Sequence, residues 1–127
     1  MRELATVLLA GVVLALPAWG QVDRDAGACA SRESTVDIED CYAALTARWD
    51  RALNAAYGAA MKAADPSGTG PLRAAERAWI EFRKQECLYR GAGPGTIGRV
   101  VAANCFYAMT RARAEQLVED AKGLGPG

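Results

Sequence analysis

The sequence predicts a small all-α domain, a three-helix up-down-up bundle that is stapled by disulfides. Three segments repeat apolar residues with the period of an α-helix, and no segment alternates with period two over a useful length. The 127-residue chain also contains four cysteines, behind a segment that is typical of an export signal. After that segment about 107 residues remain, which is the length of one domain.

Residues 1–20 have the features of a secretory signal peptide. A basic start at Arg2 precedes an apolar run from Leu4 to Leu16, and small residues lead to the expected cleavage site after Gly20. The apolar run is shorter than the roughly 20 residues that a membrane-spanning helix needs. We therefore expect a soluble mature protein, periplasmic or secreted, with no membrane insertion after cleavage. No cysteine directly follows the cleavage site, so we expect no lipid anchor.

Residues 21–34 are predicted to form an N-terminal arm, and residues 35–122 the helical domain. The first helix of this domain begins near Ser34 or Thr35, either of which can cap it, and carboxylates follow in its first turn, where they favour the helix dipole. A Pro- and Gly-rich segment, residues 65–71, is predicted to be the loop that ends this helix. The apolar stripe of the helix consists of Ile38, Tyr42, Leu45, Trp49, Leu53, Tyr57 and Ala60.

The second and third helices follow the same pattern. The second is predicted to begin at Pro71, because proline is favoured in the first turn, and to end in the glycine-rich segment 91–95. The third runs from about Ile97 to Ala121, and Gly123 marks its end. The predicted stripe of the second helix comprises Leu72, Ala75, Trp79, Phe82 and Glu86.

The four cysteines, Cys29, Cys41, Cys87 and Cys105, are expected to lie near one end of such a bundle. Four cysteines allow three pairings, and we expect Cys29–Cys41 and Cys87–Cys105 because both are local in the sequence. If the third helix begins at Ile97, Cys105 lies about 12 Å along it, so this pairing needs a later start or a local bend. A zinc site is the alternative, but the spacings are long and the chain has neither a CxxC motif nor histidine.

The composition argues against catalysis and against several classes of partner. The chain has no histidine, which removes the commonest general base and the usual activator of a nucleophile. The formal net charge is zero, which gives no electrostatic reason to expect nucleic acid. The spacing of Glu76 and Arg83 suggests a surface ion pair rather than an acid/base pair. We expect a protein that is not an enzyme and needs no metal or other cofactor.

Trp79, Arg83 and Cys87 recur at i, i+4 and i+8 and therefore share one helical face. An arginine beside a tryptophan and a disulfide is expected to be partly buried, and a buried guanidinium must find acceptors. Two interpretations follow. Arg83 either braces the bundle through carbonyl groups at the end of a neighbouring helix, or forms a contact site for a partner together with Trp79.

Three sequence patterns resemble the lysozyme-inhibitor LprI-like N-terminal domain family, and the resemblance extends from Cys29 to Leu117. The second pattern, with its W-x-x-F-R-x-x-x-C core, is the most specific. The resemblance implies a helical, exported, disulfide-bearing protein that binds another protein, possibly lysozyme, and it adds Arg113 to the candidate binding residues. The patterns are D-x2-L-N-x2-Y (residues 50–57), L-x3-E-R-A-W-I-x-F-R-x3-C (72–87) and C-x4-T-x2-R-x3-L (105–117).

The function that we expect is that of an exported binding protein, most concretely an inhibitor that occludes the cleft of a lysozyme-type glycosidase. Such a cleft is lined by two carboxylates. The candidate for insertion is the loop from Arg90 to Arg99, which has an arginine at each end and lies between Cys87 and Cys105. A plain helix connector is the other interpretation of this loop. The alternative function is that of a structural or assembly factor of the cell envelope with no effect on lysozyme.

Overall fold

The computed structural model describes residues 19–123 as four α-helices: α1 (Trp19–Ala30), α2 (Thr35–Ala63), α3 (Pro66–Arg90) and α4 (Ile97–Ala121). The described residues contain no strand, and the all-α class is confirmed. The predicted number of helices is wrong, because a fourth helix, α1, forms where the arm was predicted. Residues 1–18 of the predicted signal peptide lie outside the described residues. No helix in the described range is both long and apolar enough to cross a bilayer.

The helix α1 is held against α2 by a disulfide and a hydrogen bond. Cys29 is fully buried and bonded to Cys41, with 5.3 Å between their Cα atoms. The Tyr42 hydroxyl donates to the carbonyl oxygen of Ala26 over 3.3 Å. Ala26 and Cys29, through which α1 packs on the core around Tyr42, are both small, and residues this small give no apolar stripe from which the sequence would indicate a helix. A helix this short depends on its tertiary contacts for stability.

The helix α2 begins as the sequence predicts. The Ser34 hydroxyl accepts a 3.0 Å hydrogen bond from the Asp37 amide and so satisfies one free N–H of the first turn. Trp49 and Tyr57 from the predicted stripe are half-buried and pack against the core. The predicted stripe is therefore confirmed as the core face, with Tyr42, Leu45, Leu53 and Ala60 buried, together with Ala56.

The predicted loop at residues 65–71 is wrong. The helix α3 begins at Pro66, and only a short turn around Ala64 and Asp65 separates it from α2. Proline suits the first helical position, where no N–H is needed. Pro71 lies inside the helix, where it removes one backbone hydrogen bond and crowds the preceding turn. The Gly and Pro content of residues 65–71 predicts a longer loop than the structure has, because these residues weaken a helix but do not exclude one.

The up-down-up order of α2, α3 and α4 is confirmed by contacts along the bundle. Arg99 in the first turn of α4 forms an ion pair with Glu39 near the start of α2, and Leu117 packs in one cluster with Ala60 near the end of α2. The helices α2 and α4 are therefore parallel. The helix α3 runs the other way, because Cys87, close to its C-terminal end, is bonded to Cys105 in the first half of α4.

The core consists of two clusters that lie along the α2–α4 contact, which is the most extensive helix contact in the protein. One cluster lies near the disulfides and the other lies further along the bundle, and Trp49 packs against both. The helix α3 packs mainly against α4. The buried members of the first cluster are Cys29, Tyr42, Leu45 and Tyr107, and those of the second are Leu53, Ala56, Ala60, Ala114 and Leu117.

Candidate functional site

Both predicted disulfides are confirmed, and they join neighbouring helices at one end of the bundle. Cys29 is bonded to Cys41 and Cys87 to Cys105, and the described residues contain no free cysteine. The cysteines are thus not available as the zinc ligands that the sequence left as an alternative. The structure therefore assigns the four cysteines to cross-links.

The Cys87–Cys105 bond forms although α4 begins at Ile97, because the connecting loop folds back along the first turns of α4. Gly91 and Gly98 approach so closely that a Cβ on Gly91 would lie 2.6 Å from the Gly98 carbonyl oxygen. A Cβ on Gly98 would likewise overlap the Gly91 carbonyl. Glycine at both positions therefore allows the backbone contact that brings the cysteines together.

The loop and its flanks form an exposed surface that we call the loop surface, residues 89–99. Residues 92–97 are all exposed, and the loop contains Gly93 and Gly95 with positive φ angles. Two large apolar side chains stand at its edges, Tyr89 at 75% and Ile97 at 64% exposure. Aromatic side chains are enriched at protein contact surfaces, which makes the loop surface the candidate contact region.

The predicted binding residues Arg90 and Arg99 both lie in the loop surface, and each is paired within the chain. The Nε of Arg90 is 2.8 Å from Glu86 Oε1, and the Nε of Arg99 is 3.1 Å from Glu39 Oε1. Both arginine side chains are about 60% exposed. Neither pair uses a terminal guanidinium nitrogen. These nitrogens can therefore still donate to acceptors of a partner.

The other predicted binding residues lie in the body of the bundle, where Arg83 joins three helices. Its Nη1 donates to Asp50 Oδ1 on α2 over 3.1 Å and to the hydroxyl of Thr110 on α4 over 2.8 Å. Its guanidinium carbon lies 4.8 Å from the centre of the Trp79 ring and 5.6 Å from that of Phe106. The prediction that Arg83 braces the bundle through helix-end carbonyls is therefore wrong in its detail, because its acceptors are a carboxylate and a hydroxyl.

Arg113 forms a second interhelical pair, with Glu76 on α3. The Arg113 Nε is 2.9 Å from Glu76 Oε2, and the side chains are only 11% and 9% exposed. Arg113 also donates to the side chain of Gln116 over 2.8 Å. The predicted surface pair of Glu76 with Arg83 is wrong, because each of these residues finds a partner on another helix. The structure therefore separates Trp79, Arg83 and Arg113 from the arginines of the loop surface.

Sequence reasoning missed the partners Asp50, Glu76 and Thr110 and misassigned Phe82. Phe82 is 57% exposed, although it belongs to the predicted core stripe, and it lies in an open groove beside Val101 and Cys105 of α4. A signal for the three partners was available, since all of them belong to the patterns that carry the family resemblance. Those patterns therefore describe the interior network of the bundle, and the loop surface lies outside them.

A family model matches a range that includes both the interior network and the loop surface. The family model described as lysozyme inhibitor LprI matches residues 26–117. The match contains α2, α3, both ion pairs of the interior network, both disulfides and the loop surface. No curated protein and no solved structure matches the chain. Because the matched range covers most of the sequence, the chain belongs to the lysozyme inhibitor LprI family.

Proposed function

We propose that this chain is an exported, non-catalytic binding protein that inhibits a lysozyme-type glycosidase by placing the loop surface in its cleft. Membership of a lysozyme inhibitor family supports an inhibitory role. The observation that carries the choice of surface is the exposed, disulfide-tethered loop, with an arginine on each side of it. An inhibitor of this kind needs no reacting groups, only a shape and charge that match the cleft.

The tether reduces the entropic cost of binding. The Cys87–Cys105 bond joins positions 18 apart in the sequence and so closes a segment that contains the whole loop. The Gly91–Gly98 contact holds the loop against α4. A preorganised loop loses less conformational freedom on binding than a free one. The loop surface therefore suits insertion better than an unconstrained helix connector would.

The charges of the loop surface complement the cleft of a glycosidase, which two carboxylates line. Arg90 and Arg99 keep terminal nitrogens free to donate, and the exposed intramolecular pairs that they form are each worth under about 1 kcal/mol. Little free energy is therefore lost if a partner carboxylate replaces Glu86 or Glu39. The exposed Tyr89 and Ile97 add apolar area beside the charged groups.

The test is a peptidoglycan-clearing assay with lysozyme and the oxidised protein. We expect the Arg90→Gln/Arg99→Gln variant to lose most of the inhibition, mainly through slower association with a weaker salt dependence. Its stability should stay within about 0.5 kcal/mol of the parent, because both side chains are exposed. The matched control is Arg48→Gln/Arg51→Gln, which removes the same charge from exposed positions on α2 and should inhibit like the parent.

Two results would contradict parts of the proposal. Full inhibition by the Arg90→Gln/Arg99→Gln variant would exclude the arginines of the loop surface from the contact. A parent protein that binds no lysozyme and inhibits none, yet is captured with an envelope protein from periplasmic extract, would favour the structural or assembly role.

A further inference from the structure

The loop surface is too small to form a stable enzyme contact by itself. It has eleven residues, 89–99, whereas a stable protein–protein interface uses about 20–30 residues on each side. An inhibitor that binds through the loop surface therefore needs further contact area that adjoins it. That area must lie on the parts of the helices that border the loop surface.

Large apolar side chains continue from the loop surface along one side of α3 and α4. On α3, Phe82 precedes Tyr89 by about two helical turns, so the two side chains share a face. On α4, Val101 follows Ile97 by about one turn and likewise shares its face. These four side chains are half of the large apolar side chains that are exposed in the described part of the chain. Exposed apolar side chains gathered on one side indicate an interaction surface.

Phe82 and Val101 line one open groove between α3 and α4, with a volume of about 360 Å³. Cys105, Ala108 and Met109 of α4 add to its apolar lining. The volume is at the lower end of the range for pockets that bind small molecules. A groove of this size suits one large side chain of a partner rather than a whole helix.

The charged side chains of the groove neutralise each other. Glu86 and Arg90 both line it, and Arg90 Nε is 2.8 Å from Glu86 Oε1. The groove therefore has no net charge that would select a charged group of a partner, whereas an apolar side chain gains free energy by leaving water. Arg90 also belongs to the loop surface, so the groove begins where the loop surface ends.

We propose that the α3–α4 groove receives an aromatic or large aliphatic side chain of the glycosidase, beside the acidic cleft that receives the loop surface. This inference rests on the proposed function and deepens it. The groove adds seven residues to the eleven of the loop surface, which brings the contact close to the size of a stable interface. Side chains that are buried in a pocket at an interface carry much of the binding free energy. The arginines of the loop surface then speed association, and the groove slows dissociation.

The experiment measures association and dissociation rates of the oxidised protein on immobilised lysozyme. Phe82→Gln removes one apolar wall of the groove, and Ala108→Trp fills the groove from an exposed position on α4. We expect each variant to bind at least about tenfold more weakly, mainly through faster dissociation. The salt dependence of association should stay that of the parent, because neither change alters the charge. Both positions are exposed, so the circular dichroism spectra should match that of the parent.

The matched control is Ile80→Gln, which removes an exposed apolar side chain from the side of α3 that faces α2 and should bind like the parent. Parent-like dissociation of both groove variants would overturn the inference. The proposed function would still stand in that case if Arg90→Gln/Arg99→Gln binds lysozyme more weakly than the parent. A parent that binds no lysozyme would overturn both proposals.

A second copy of this chain is the other occupant that an exposed apolar groove can take, and sedimentation velocity over a range of protein concentrations tests it. We expect a monomeric parent, which supports the assignment of the groove to the enzyme contact. A parent dimer that Phe82→Gln dissociates would assign the groove to self-association and overturn the inference.

Discussion

Removing Arg113 from its ion pair with Glu76 should destabilise the fold by about 3–5 kcal/mol, the cost of leaving an unpaired charge in the interior. Both side chains are about nine-tenths buried, so solvent screens the pair little. Glu76 Oε1 already lacks a partner, so the Arg113→Met variant leaves the whole carboxylate without a charged partner. Met retains much of the apolar stem volume and limits the contribution of a cavity.

The partner variants turn this estimate into a double-mutant cycle. Glu76→Gln keeps an acceptor opposite Arg113 and should cost less, about 1–3 kcal/mol. In the Arg113→Met/Glu76→Gln double variant no charge is buried at this site. We therefore expect the double variant to be more stable than Arg113→Met alone, with a coupling of about 2 kcal/mol.

Urea unfolding of the oxidised proteins at neutral pH, followed by circular dichroism, measures these differences. The control is Glu119→Gln, which removes the carboxylate from a pair with Lys122 whose side chains are 50% and 57% exposed. This change should cost under about 1 kcal/mol. If the two interior substitutions are additive within about 0.5 kcal/mol, the buried pair does not act as a unit and the reasoning fails.

Three further changes test the fold. Replacing Cys87 and Cys105 by serine should lower the free energy of unfolding by about 3 kcal/mol, the loss expected for a loop of this length, and unchanged urea unfolding would contradict a stabilising cross-link. Gly98→Ala should cost about 1–3 kcal/mol because its Cβ overlaps the facing backbone, whereas Gly58→Ala, in open space on α2, should be neutral or stabilise by up to about 1 kcal/mol. Burial, and to a smaller extent Tyr107, raise the pKa of Tyr42 above 10.0. The neutral Tyr42 hydroxyl therefore contributes fully to stability below about pH 10, and this contribution is lost as the pH rises through the raised pKa. Tyr42→Phe should accordingly flatten the alkaline part of a plot of unfolding free energy against pH.

The features that depend on local chemistry and on apolar periodicity could be predicted from the sequence. Three features were predicted: the Ser34 cap, the core stripe of α2 and the start of α4 at Ile97. They depend on helix caps, on the spacing of apolar residues and on glycines at helix ends, and each of these acts over a few residues. The two disulfides were predicted correctly because each joins two cysteines that are close in the sequence. A short connection between adjacent helices keeps such cysteines close in space. The family was recognised because its patterns consist of residues that hold the interior together.

Which residues meet across helices depends on how the helices pack, and the sequence pattern does not predict it. Arg83 pairs with Asp50 and Arg113 with Glu76, at separations of 33 and 37 residues, and local spacing carries no information about such partners. The same holds for α1, which depends on its contacts with α2. Periodicity identifies the face of a helix that is buried but not the helix that covers it. The limited contact between α2 and α3 follows from that choice, because α3 packs mainly on α4.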